Sequence, residues 1–78
     1  MKLFGYSHGD EIQLLELREV TLSADPELLR AMAEFLSECA DGIEAKGTTW
    51  EHAHFEANKD FAHEDVPQFI VFNSGISF

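Results

Sequence analysis

Asp25-Pro26-Glu27-Leu28-Leu29-Arg30-Ala31-Met32-Ala33-Glu34-Phe35-Leu36-Ser37-Glu38-Cys39-Ala40-Asp41-Gly42-Ile43-Glu44-Ala45-Lys46-Gly47 is the stretch that decides the fold. Leu28, Met32, Phe35, Leu36, Cys39, Ala40 and Ile43 recur at helical spacing and form one apolar stripe. Asp25 is suited to accept from the orphan amides at the helix start, and Pro26 suits the first helical position. Glu27 complements the positive end of the helix dipole. Gly47 ends the helix, with Lys46 at its last turn. Glu34, Glu38, Asp41 and Glu44 lie largely away from the stripe, on the solvent side. Cys39 lies on it and reads as a small core residue, since buried cysteines are usually inert.

The segments on either side of this helix read as strands. Residues 2–6 form a short strand, and Ser7-His8-Gly9-Asp10 a turn in which Gly9 is free to take positive φ. Residues 11–22 continue as a second strand, so the two make a hairpin. The alternation of this second strand slips. Ile12 and Leu14 share one face, Leu15 and Leu17 the other, and Val20 and Leu22 return to the first. A β-bulge near Arg18-Glu19 would reset the register; burial on both faces is the alternative. After the helix, residues 48–55 read as a third strand. Thr48, Trp50, His52 and His54 fall on one side of it and Thr49, Glu51, Ala53 and Phe55 on the other. Residues 56–66 are polar, and Pro67 closes that loop. Gln68-Phe69-Ile70-Val71-Phe72-Asn73 has strong β propensity, and 74–78 is a tail.

The expected architecture is α+β in β-β-α-β-β order. It has a small antiparallel or mixed sheet with the long helix packed on one face. The 78 residues make a single domain with a small core. One helix cannot cover both faces of four strands, so a second copy or another protein is a natural cover for the remainder.

Fifteen Asp and Glu against five Lys and Arg leave a formal charge of −10. Nucleic-acid binding rests on cations neutralising phosphates, so this balance speaks against nucleic acid and against anionic membrane surfaces. It favours a basic protein or a metal ion as partner, or serves solubility alone. The one cysteine forms no internal disulfide. No signal-like apolar region opens the chain, and no apolar run approaches the length of a membrane span. The expected compartment is the reducing cytoplasm.

Chemistry-bearing constellations are few. Trp50-Glu51-His52-Ala53-His54-Phe55 projects His52 and His54 to the same side of a strand, a common way to present two imidazoles to zinc, with His63, Asp65 or His8 as a third ligand. The competing reading has these histidines hydrogen-bonding carboxylates or backbone and fixing a strand. The five glycines are isolated, so no phosphate-cradling loop exists, and no serine sits in a nucleophile elbow. The acids are spread along the chain rather than paired in a motif. An enzyme is therefore not the expected class, and no cofactor is expected unless zinc occupies the histidines. Trp50 reads as a core anchor or a binding hot spot. Phe61, set among Lys59, Asp60, His63 and Glu64, either packs back onto the sheet or is offered to a partner.

Several stretches taken in order carry a resemblance. They are Leu3-Phe4-Gly5-Tyr6, Leu15-Glu16-Leu17-Arg18-Glu19-Val20-Thr21-Leu22 and Asp25-Pro26-Glu27-Leu28-Leu29-Arg30. Ala33-Glu34-Phe35-Leu36, Glu51-His52-Ala53-His54-Phe55 and a closing strand ending in Asn73 complete them. Together they resemble the immunity protein 32 family of bacterial polymorphic toxin systems, over residues 3 to about 73. The resemblance implies a small cytoplasmic protein that binds and neutralises a toxin made by the same or a neighbouring cell. It places a paired-histidine motif on His52 and His54 without assigning it a role. On this reading the acidic helix face, Glu34, Glu38, Asp41 and Glu44, with Phe61, is the expected toxin-binding surface. The alternatives are a zinc-binding domain using His52, His54 and His63, and a structural homodimer whose 69–72 strands pair across sheet edges.

Overall fold

A computed structural model describes residues 1–56 and 66–76. The helix α1 runs Pro26–Lys46, as its local signals dictate. The Leu28 amide donates to Asp25 Oδ1 at 2.9 Å, satisfying one of the orphan donors. At the other end Gly47 has φ 56°, and its amide donates to the Ile43 carbonyl.

The strands fall into two separate antiparallel pairs rather than one sheet, an α+β arrangement that corrects the single sheet expected. The first pair is the hairpin of β1 (Leu3–Ser7) and β2 (Asp10–Leu17), turning through Gly9 at φ 82°. The second pairs β3 (His52–His54) with β4 (Ile70–Phe72), in register His52↔Phe72, Ala53↔Val71, His54↔Ile70. It is lengthened at both ends, where Phe55 N donates to the Phe69 carbonyl and Asn73 N to the Glu51 carbonyl, each at 2.8 Å. Three-residue strands satisfy each other's backbone groups, and among the described residues no ladder joins the two pairs.

The strands depart from the sequence expectation in extent and register. β2 stops at Leu17 rather than reaching Leu22, because Leu17 already pairs with Leu3 at the start of β1 and residues 18–22 have no strand to pair with. The register irregularity lies between Gly5 and Ser7 in β1, not at Arg18-Glu19. β3 begins at His52, because residues Gly47–Thr49 form a 3₁₀ turn in which Thr49 Oγ1 donates to the Lys46 carbonyl at 2.7 Å. Thr48 is thereby removed from the strand face it was expected to share with the histidines.

The core sits between α1 and the β3–β4 pair. Leu28 and Met32 are its buried centre, packed by Ala24, Ala31, Phe55, Val66 and Phe69. Phe35 joins Phe55 and Phe69 in an aromatic cluster with ring centroids 5.3, 6.2 and 6.5 Å apart in edge and tilted contacts. Cys39 is buried on the same stripe, as its spacing suggests. Trp50 is half-buried over Gly42, where a Cβ would lie 2.5 Å from the indole Nε1.

One polar side chain closes this unit. Asn73 is only 4% exposed. Its Nδ2 donates to the Gly47 carbonyl (3.1 Å) and the Trp50 carbonyl (2.9 Å), and its Oδ1 accepts from the Gly75 amide (2.9 Å). The helix end, the 3₁₀ turn, β4 and the following turn are thus tied at one buried amide whose capacity is nearly filled.

Candidate functional site

Two surfaces stand out from this frame, and both are built by regular geometry. The first is on α1. At about 100° per residue, Glu34, Glu38 and Asp41 fall at i, i+4 and i+7 along one side, with Glu44 one step further round. All four are exposed. On the opposite flank of the buried stripe, Leu29, Ala33, Leu36 and Ala40 run at i, i+4, i+7 and i+11 and are exposed as well. The apolar arc of the helix is wider than the β3–β4 layer covers. The carboxylate row and the uncovered leucines thus lie on opposite flanks of the helix's exposed arc, one acidic and one apolar.

The second surface is the outer edge of β3. His52 and His54 alternate with the half-buried Ala53 and project outward together. Their ring centroids are 5.3 Å apart at 68°. His52 Nδ1 lies 2.8 Å from Glu51 Oε1, and His54 Nδ1 lies 3.0 Å from Gln68 Oε1. The His52 ring also lies parallel to Phe72 across the strand pair, at 6.3 Å and 13°. Phe61 and His63 lie outside the described residues, as does Asp65. Among the described residues no group of three His, Cys, Asp or Glu side chains converges as a metal cage would require.

A shallow depression lined by Phe35, Glu38, Cys39, Trp50 and Ala53 opens beside the buried thiol. Burial, and secondarily the negative charge of Glu38, raise the Cys39 pKa above the ordinary thiol range. That is the opposite of what a nucleophilic cysteine needs. Sequence reasoning missed the structural part played by Asn73. Its partners lie 23 and 26 residues away, and no local pattern announces contacts at that range.

The described chain is a small α+β domain that presents an acidic and partly apolar helix surface to solvent. No described helix is long and apolar enough to cross a membrane. It belongs to the immunity protein 32 family, whose model matches residues 19–75. An immunity family implies, in general terms, a protein that acts by binding a toxin. The matched span takes in α1, β3 and β4 and begins after β2, so of the stretches quoted for the resemblance Leu3–Tyr6 and Leu15–Arg18 lie before it. No curated protein and no solved structure matches the chain.

Proposed function

We propose that this protein neutralises a basic toxin domain in the cytoplasm by holding it against the solvent side of α1. The observation that carries this reading is the uninterrupted exposure of Glu34, Glu38, Asp41 and Glu44 on a rigid, well-capped helix, in a chain of net charge −10. Carboxylates fixed on a helix are pre-organised, so little entropy is lost when cationic side chains meet them. Their summed field also draws a basic partner and raises the association rate. In this reading Phe61, which lies outside the described residues, adds an aromatic anchor, and the exposed Leu29 and Leu36 on the other flank of the helix offer further apolar area. A toxin domain that acts on nucleic acid would carry the required basic surface, because it must hold phosphates. The toxin is then denied its substrate by a protein of like charge, and no bond need be made or broken by the inhibitor.

The test begins with capture of the tagged chain from its native lysate at low salt, with bound proteins identified by mass. The toxin domain so identified is then used in binding kinetics. Reversing Glu34, Glu38 and Asp41 to Lys should slow association by roughly tenfold or more and flatten its salt dependence. Association rates unchanged by the triple reversal would remove the acidic face from the interface. Recovery of the chain only as a homodimer would instead assign the exposed leucines to a second copy.

A further inference from the structure

The histidine pair on β3 carries an inference that does not depend on the toxin reading. Both Nδ1 atoms face oxygens that only accept: a carboxylate oxygen for His52 and an amide oxygen for His54. In the neutral imidazole each Nδ1 must therefore carry the proton. Each Nε2 is left with a free lone pair, the form in which imidazole binds metal. A second group holding the far ring nitrogen is also the usual arrangement behind metal-bound histidines, where it fixes both tautomer and ring direction.

The spacing agrees. With a metal–nitrogen distance of about 2.1 Å, each ring centroid lies about 3.2 Å from the ion, and a tetrahedral angle then sets two centroids about 5.2 Å apart. The observed separation is 5.3 Å. His52 is further steadied by the parallel face of Phe72, so part of the ordering cost is met before any ion arrives. The net charge of −10 concentrates cations near the surface.

We propose that His52 and His54 chelate one borderline divalent transition-metal ion through their Nε2 atoms, with Glu51 and Gln68 holding the two rings in the binding tautomer. Imidazole nitrogen selects zinc, nickel and copper over magnesium and calcium, which prefer oxygen. The remaining coordination positions belong to water. The site needs no third protein ligand, so it differs from the three-histidine zinc domain weighed from sequence.

The experiment is calorimetric titration of the full chain, free of any affinity tag, with zinc chloride and with nickel chloride. Nitrogen-detected NMR of the histidine side chains accompanies it. The expected result is one ion per chain, with Nδ1–H tautomers at residues 52 and 54 before metal and Nε2 shifts on addition. His52→Ala or His54→Ala should each weaken binding at least tenfold, while His8→Ala and His63→Ala leave it unchanged. Far-UV circular dichroism confirms that each variant is folded, which the exposure of these side chains favours. Wild-type affinity in His54→Ala, or Nε2–H tautomers in the metal-free chain, would overturn the chelate. So would a binding signal that vanishes in His63→Ala alone. Magnesium serves as the control and should give no heat at either histidine.

Discussion

The hairpin and the helix unit are built to different standards. The α1–β3–β4 unit holds every described buried side chain, an aromatic cluster and a buried amide with three hydrogen bonds. In the β1–β2 hairpin, Ile12 is 96% exposed, Leu14 42% and Leu15 41%, and the core cluster takes none of its side chains. A two-stranded hairpin is marginal in water without a hydrophobic face packed on something. The helix unit is therefore the source of this domain's stability. The hairpin contributes local pairing and an apolar surface.

The largest expected contrast is a direct one. Leu28→Ala removes the centre of the core and should cost about 2–5 kcal/mol, enough to unfold much of a domain this small. Ile12→Ala should change stability by less than about 0.5 kcal/mol. Urea unfolding of both variants tests the pair, and a hairpin variant as damaging as the core variant would break the comparison.

Asn73→Ala comes next. It strands the Trp50 carbonyl and the Gly75 amide and leaves the Gly47 carbonyl with the Trp50 amide alone, at a cost of about 1–3 kcal/mol. The loss should appear as a lower urea midpoint with an unchanged slope. Gly42→Ala sharpens the same point from the helix side. Alanine is the better helix former by about 1 kcal/mol, yet its Cβ would collide with the Trp50 indole. The net effect should be destabilising by about 1–2 kcal/mol, with a red-shifted tryptophan emission as the ring is displaced. A stabilised variant would show that Trp50 is not held against the helix.

The smallest effect is at Cys39. Its pKa is raised in the fold, first by burial and then by Glu38. A raised folded-state pKa means the folded chain keeps its proton longer. This contribution to stability is present below the ordinary thiol range and declines as pH climbs through the folded value. Thiol-reagent kinetics at neutral pH should be slow in the native chain and fast in urea. Prompt native labelling would place Cys39 outside the core.

Legibility followed the range of the interactions. Helix α1 could be read to the residue, because Asp25, Pro26 and Gly47 act on amides and carbonyls within one turn of themselves. The two histidines sharing one side of β3 were equally readable, since a strand alternates its faces wherever it lies. The slipping alternation over residues 12–22 was harder. It suggested a bulge because a buried face was assumed, whereas Leu14 and Leu15 point to opposite sides and both remain exposed. With no buried face to satisfy, the slip needs no correction. The third strand was read too long because Thr48 and Thr49 have strand propensity, while the Gly47 cap commits them to a 3₁₀ turn.

By itself, then, the amino-acid order determined the β-β-α-β-β succession, the ends of the helix, the place of Cys39 in the core, the acidic row on α1 and the family. Each depends on spacing along the chain or on totals. The tertiary structure alone decided that the four described strands make two pairs instead of one sheet. It also decided that Asn73 locks the helix end to β4, that Trp50 rests on Gly42, and that Glu51 and Gln68 hold the two imidazoles. Those contacts join residues up to 26 positions apart, or depend on which backbone groups find a partner first. Pairing at that range is settled by how all the surfaces fit together, and no local periodicity encodes it.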